Sequence, residues 1–191
     1  MRKRTAIFIS GRGSNMEALV RAAQRPDFPA EIALVLSNRP NAAGLKFAKS
    51  CGIATAVVDH KIYAGRNEFE AAMAHILAIH RIELICLAGF MRLLTASFVE
   101  SWRGRMINIH PALLPQFKGL DTHARALAAG VSEHGCTVHF VVPEMDAGPI
   151  ILQASVDILP GDTEASLSAR VLAQEHRIYP LALAKLARGE V

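Results

Sequence analysis

Five short, almost uninterrupted apolar runs punctuate the first 110 positions: residues 5–10, 32–37, 55–58, 84–88 and 105–109. A strand with one wet face alternates apolar and polar residues, whereas a strand that is apolar throughout must be covered on both faces. Between these runs lie helix-period patterns at 16–25, 42–50, 67–81 and around 97–102. Strand and helix in alternation predict an α/β chain whose parallel sheet carries helices on both faces. Two further runs, 136–142 and 150–155, flank a short turn-rich connection and so predict an antiparallel pair. The expectation is a three-layer α/β/α arrangement on a mostly parallel, mixed sheet. With no repeat, low-complexity tract or linker in view, residues 1–191 are expected to form one domain.

The bulk numbers exclude several classes. With 51% hydrophobic and 20% charged residues the composition is that of a folded soluble protein, not a disordered one. A net charge of +4 favours anionic ligands. Nucleic-acid binding is not expected: the only basic cluster is Arg2-Lys3-Arg4, which reads as a solvated lead-in to the first strand. Cys51, Cys86 and Cys136 are odd in number and form no CxxC pair, so they read as reduced packing cysteines. No signal-peptide pattern opens the chain, and no apolar run approaches the roughly 18 residues that span a membrane. A cytoplasmic protein is expected.

The most chemically informative stretch is Met106-Ile107-Asn108-Ile109-His110-Pro111-Ala112-Leu113-Leu114-Pro115. Side chains alternate on a strand, so Asn108 and His110 share one face while Ile107 and Ile109 point into a core. Pro111 biases His110 toward extended backbone and carries the alternation to the strand's end. An amide and an imidazole are thus presented together at a strand's C-terminal edge, where open α/β sheets bind ligands. A plain alternative is a pair that hydrogen-bonds nearby backbone.

The first strand leads into Gly11-Arg12-Gly13-Ser14-Asn15 and then a helix. A glycine-rich turn there exposes backbone N–H groups and suits a phosphate, with Ser14 and Asn15 adding donors or acting as helix caps. The loop is not a P-loop, because no Gly-Lys-Ser/Thr follows. Nor is it a dinucleotide fingerprint, because Met16 replaces the third Gly or Ala, and the second strand ends in Asn38-Arg39 with no carboxylate. A phosphate monoester is therefore favoured over a nicotinamide nucleotide, and a ligand-free tight turn remains the alternative. Further on, Gly89-Phe90-Met91-Arg92-Leu93-Leu94 leaves the fourth strand and could line a flat apolar pocket. Asp162 and Thr163 open a long final helix in which Pro180 is expected to make a kink close to Glu175.

Taken together, these stretches, with His134-Gly135-Cys136-Thr137-Val138-His139-Phe140-Val141, Asp146-Ala147-Gly148-Pro149-Ile150-Ile151 and Gln174-Glu175-His176-Arg177-Ile178-Tyr179-Pro180, resemble the phosphoribosylglycinamide formyltransferases. The resemblance runs across nearly the whole chain. It implies a seven-stranded mixed sheet and direct formyl transfer from 10-formyltetrahydrofolate to the amine of glycinamide ribonucleotide in purine biosynthesis. It implies Asn108, His110 and Asp146 as the catalytic set, with His139 in support. Gly13, Ser14, Asn15 and Glu175 would hold the ribonucleotide. Arg66, Met91, Arg92, Leu93 and Leu94, with Val142, Pro143, Glu144, Met145 and Asp146, would surround the folate. Relatives that formylate methionyl-tRNA or hydrolyse formyltetrahydrofolate carry added domains, for which this chain is expected to have no room.

The chemistry that follows is amine attack on the formyl carbon. Asn108 would donate to the oxyanion, His110 would donate when protonated, and Asp146 would orient His110 and help move a proton from amine to leaving nitrogen. No metal or nicotinamide is expected, since the eight histidines show no ligand spacing. The expected partners are the two small molecules, with no nucleic acid and no membrane, and the chain would be a monomer or homodimer. Two rivals stay open: a nucleotide-linked oxidoreductase built on the glycine loop, and a folate- or phosphate-binding protein without turnover.

Overall fold

The computed structural model describes residues 1–191. In chain order the elements are β1 (Lys3–Ile9), α1 (Ser14–Ala23), β2 (Ala30–Ser37), α2 (Gly44–Ser50), β3 (Ala54–Val57), α3 (Arg66–Ile79), β4 (Leu84–Leu87), α4 (Ala96–Ser101), β5 (Met106–His110), α5 (Thr122–Ala129), β6 (Glu133–Phe140), β7 (Ile150–Asp157) and α6 (Glu164–Arg188), with a short 3-10 turn at His60–Ile62. The sheet has seven strands in the order β3-β2-β1-β4-β5-β6-β7. The first five in sequence pair parallel, and β6 and β7 close the far edge antiparallel.

The apolar runs behave as their composition dictates. In β1, Ala6, Ile7, Phe8 and Ile9 are wholly buried and alternate between two cores. Ile7 and Ile9 meet Met16 and Leu19 of α1, Leu45 of α2 and the buried stripe of α6 on one face. Ala6 and Phe8 meet Phe69, Met73 and Leu77 of α3 and Phe98 and Val99 of α4 on the other. Ile107 and Ile109 join the first core, which leaves Asn108 and His110 on the opposite face of β5.

The chain passes from β1 outward to β2 and β3, then returns to start β4 on the other side of β1. The carboxyl ends of β1 and β4 therefore border the crevice where such sheets bind ligands.

Two local expectations are corrected. First, β6 begins at Glu133 rather than at 136, and β7 continues to Asp157. Ladder bonding runs on through exposed pairs such as Glu133 and Asp157, which apolarity does not reveal. Second, α1 starts at Ser14, and its N-cap is Gly13 with φ +78°, without a side-chain cap bond, so neither Ser14 nor Asn15 is the cap. The final helix does carry Pro180 in its interior, and α6 continues past it to Arg188, flanked by buried Ile178, Tyr179, Ala182 and Leu183. The helix is capped by Thr163 with Ser166, while Asp162 turns to Arg170. No helix is long and apolar enough to cross a membrane.

Candidate active site

Asn108 and His110 leave β5 on one face, and the antiparallel register sets His139 opposite Asn108 and Thr137 opposite His110. The four polar side chains consequently form one patch. Thr137 spends its hydroxyl on the backbone: Oγ1 donates to Ala112 O at 2.7 Å and accepts from Leu114 N at 3.1 Å. Gln153 Nε2 donates to Leu114 O at 2.9 Å and Thr122 Oγ1 to Pro111 O at 2.6 Å. The turn after His110 is thus pinned from three sides.

The two histidines have assignable protons. His139 Nδ1 lies 2.8 Å from Phe140 O, and a carbonyl only accepts, so Nδ1 carries the hydrogen. Its Nε2 lone pair then accepts from Asn108 Nδ2 at 3.2 Å. Burial pushes the His139 imidazolium toward deprotonation, against the opposing pull of the Phe140 carbonyl and of Asp146. His110 has the reverse polarity: Nε2 donates to Phe117 O at 3.0 Å, leaving Nδ1 to face Asp146 Oδ2 at 3.5 Å.

Asp146 arrives from the β6–β7 connection. Its side chain is 9% exposed; Oδ2 accepts from Gly119 N at 2.9 Å and Oδ1 lies 3.6 Å from His139 Nε2. Its φ of +50° is left-handed, an arrangement Asp tolerates better than most residues. Two positions on, Gly148 is obligatory, because a Cβ there would stand 1.8 Å from Phe140 O. The backbone at Phe140 and the aim of Asp146 are set by the same tight crossing. Loop 116–122 completes the wall. Its Phe117 ring packs edge-on against His134, with centroids 5.7 Å apart, and His134 against His123 at 5.2 Å. Burial holds His134 neutral, its pKa lowered to about 4.

The glycine loop lies at the end of β1. Gly13 Cα approaches Gly44 so closely that a Cβ on Gly13 would meet it at 3.2 Å, and Gly44 N donates to Gly11 O at 3.2 Å. Asn15 Nδ2 reaches across to α6 and donates to Glu175 Oε2 at 2.6 Å. Glu175 is 6% exposed and burial raises its pKa, partly offset by this bond, while Asn15 Oδ1 is buried without a partner. Ser14 also lines a groove of about 560 Å³ between α1 and α6, with Arg12, Arg21, Arg25 and Arg177 along it. None of Asn108, His110 or Asp146 borders that groove.

Arg66 and Arg92 share a smaller cavity of about 190 Å³ with His60, Tyr63 and Phe69. Met91, Leu93 and Met145 stand 59%, 61% and 54% exposed, large apolar side chains left open to solvent, Met145 being the chain neighbour of Asp146. Leu94 instead packs against the core under α3 and α4, as does Val141, the neighbour of Val142. Pro143 and Glu144 are exposed and touch none of the catalytic candidates through a hydrogen bond. No His/Cys/Asp/Glu cluster suits a metal. Burial lifts the Cys86 and Cys136 thiols to about 12, so neither is a nucleophile at neutral pH.

Sequence reading missed four supports. Ser10 and Asn38 are buried at the ends of β1 and β2, and Glu70, 5% exposed, accepts from Thr95 N at 2.6 Å and from the Thr95 hydroxyl. The Phe117 carbonyl is the fourth. Ser10, Asn38 and Glu70 meet partners 25 or more residues away, and the Phe117 carbonyl reaches His110 only through the fold of the intervening loop; only an apolar helix face interrupted at Glu70 offered any signal.

The family model described as formyl transferase matches residues 3–183. A phosphoribosylglycinamide formyltransferase of Escherichia coli is 42% identical over 97% of this chain and 87% of its own length. The human trifunctional purine biosynthetic protein adenosine-3 is 50% identical over 98% of the chain, which spans only 19% of that protein. A crystal structure of phosphoribosylglycinamide formyltransferase from Brucella melitensis superposes with a TM-score of 0.95 at 54% identity, covering 98% of this chain and 96% of that one.

Proposed function

The chain belongs to the formyl transferase family, and from that premise we propose that it moves the formyl group of 10-formyltetrahydrofolate to the primary amine of glycinamide ribonucleotide, a step of purine biosynthesis. The observation that carries the reading is the Asn108–His139–Asp146–His110 patch at the carboxyl end of β5, in the same sheet whose β1 ends in the glycine loop. We take residues 1–191 as one catalytic unit. The free thiols suit a reducing compartment, which we take to be the cytoplasm.

In this reading Gly13, Ser14 and Asn15 hold the acceptor's phosphate at the start of α1, where backbone N–H groups and the helix dipole favour an anion. Glu175, aimed by Asn15, accepts from the ribose hydroxyls. Arg66 and Arg92 face the donor's acidic tail from their shared cavity. Met91, Leu93, Leu94 and the loop of Val142, Pro143, Glu144 and Met145 enclose its flat ring system.

The amine attacks the formyl carbon, and negative charge develops on the former carbonyl oxygen. One Nδ2 hydrogen of Asn108 is committed to His139, and the other is left to donate to that oxygen. His110 holds its Nε2 hydrogen on Phe117 O, so Nδ1, facing Asp146, is the nitrogen that exchanges a proton with the reacting groups. Asp146 receives the amine's proton, and the same proton, passed on by the Asp146–His110 Nδ1 pair, is delivered to N10 of the folate as the oxyanion collapses to the new formamide carbonyl and the bond between the formyl carbon and N10 breaks. No side chain forms a covalent bond to the formyl group.

The test is formyl transfer followed spectroscopically with glycinamide ribonucleotide as acceptor, alongside an acceptor-free control. Acceptor-dependent turnover is expected. Deformylation without acceptor would replace this reading with a hydrolytic one, and binding of both ligands without turnover would leave a binding protein.

A further inference from the structure

Ser10 is the last residue before the glycine loop and is 3% exposed. Its backbone N–H and its hydroxyl make three hydrogen bonds. Its N–H donates to Gly89 O at 3.1 Å, its hydroxyl donates to Asn38 Oδ1 at 2.6 Å, and the same oxygen accepts from Met91 N at 2.7 Å. Asn38 is wholly buried, and His60 Nδ1 lies 3.1 Å from its carbonyl and 3.2 Å from its Nδ2. His60 therefore bonds Asn38 in either tautomer. His60 itself lines the cavity of Arg66 and Arg92. One continuous chain of bonds thus runs from the phosphate loop through Ser10 to the start of the Met91–Arg92 segment, and by Asn38 to the cavity's other wall.

The direction of these bonds is forced. Asn38 Oδ1 only accepts, so the Ser10 proton points there, and Oγ is free only to accept from Met91. Moving the Ser10 side chain to another χ1 rotamer carries Oγ away from both partners and breaks both bonds at once, leaving the buried Asn38 Oδ1 and the Met91 N–H unpaired. We propose that Ser10 is a positioning residue that couples the two substrate subsites, the acceptor's phosphate on the glycine loop fixing the Met91 segment in its donor-binding conformation. This rests on the assignment of the two subsites made above. Phosphate draws the N–H groups of residues 11–15 toward itself and immobilises the peptide that Ser10 begins. Ser10 then holds Met91 N–H, and with it the exposed Met91 and Leu93 side chains, in one place. By linkage the coupling is reciprocal: donor binding tightens acceptor binding by the same factor.

The experiment is amide hydrogen exchange on the full chain with glycinamide ribonucleotide alone, unformylated 5,8-dideazafolate alone, and both, paired with titrations of each ligand at saturating other ligand. In the wild type, acceptor alone is expected to slow exchange at Met91, and each ligand to tighten the other by about fivefold or more. Ser10→Ala is expected to bring that factor to about one while each ligand still binds alone. Ser10→Thr, which keeps the hydroxyl, is expected to retain the coupling. Unchanged Met91 exchange on adding acceptor to the wild type overturns the proposal, and needs no variant to fold. A Ser10→Ala protein with the wild-type coupling factor overturns it too. A dideazafolate footprint away from residues 91–94 removes the donor assignment and the proposal together, whereas a footprint there without an acceptor response removes the coupling alone.

Discussion

Asn108 on β5 and His139 on β6 are register partners whose side chains meet at 3.2 Å, and the imidazole lone pair fixes which way the amide faces. Asn108 can turn a donor toward a reacting oxygen only because His139 takes its other hydrogen and its own Nδ1–H is tied to Phe140 O. Loss of Asn108 removes the donor itself, and loss of His139 removes only its aim. Asn108→Ala is expected to lower kcat by roughly 10²–10³, and His139→Phe to lower it less, with KM for both substrates nearly unchanged. Steady-state kinetics of the two variants test the ranking; equal losses would place His139 in direct contact with substrate.

Asp146→Asn keeps size and shape but turns one oxygen into a donor. That group would face either Gly119 N–H or His139, and it no longer takes a proton from the amine. A fall in kcat of about 10²–10⁴ is expected, with ligand binding retained. Single-turnover formyl transfer measures it, and a loss confined to KM would contradict the role.

Glu175 carries a stability cost. Its folded pKa is raised above the ordinary value by burial, so the folded state binds more protons than the unfolded one near the carboxylate range, and stability falls as pH rises through it. Glu175→Gln removes the ionisation and keeps an oxygen for Asn15 Nδ2. A higher Tm at neutral pH is expected together with a raised KM for the ribonucleotide. Calorimetry and kinetics on the same preparation check both.

The buried imidazoles give an acid limb. His134 titrates at about 4 when folded against an ordinary value near 6.5, and burial lowers His123, His139 and His176 as well. Between these values the unfolded chain binds more protons, so stability rises with pH across that window and is lost on acidification. His134→Gln should flatten the slope of unfolding free energy against pH by about one proton. Urea titrations from pH 4 to 7 measure the difference.

Gly148→Ala drives a methyl group into the Phe140 carbonyl. The connection must move, and Asp146, two residues earlier, moves with it. A destabilisation of about 3 kcal/mol or more is expected, with activity falling further than stability explains. Denaturant unfolding set against kcat separates the two.

Much of this was legible in advance because short-range physics set it. Apolar runs located every strand, and simple alternation put Asn108 and His110 on one face. What stayed hidden depends on partners distant in sequence. Alternation puts His139 and Thr137 on one face of β6 but cannot state which residue of β5 each meets, since a register shift of two residues leaves the same side chains on the same face. Ser14 and Asn15 were plausible caps, yet the close approach of Gly44 requires the left-handed Gly13 in that position. The role of Glu70 is not visible in its helix because its partner, Thr95, lies 25 residues on.

The bond between Asn15 and Glu175 joins residues 160 apart. Bringing such distant segments together carries the chain-closure penalty in nearly its largest form for this molecule. During synthesis the sheet through β5 emerges long before the final helix leaves the ribosome, so a nascent chain acquires its Asn-His pair well before it acquires a closed acceptor pocket. On the proposed assignment of Asn15 and Glu175 to the acceptor, that site is completed only when α6 joins the sheet, and a chain cut short ahead of α6 would be a sheet with half a site.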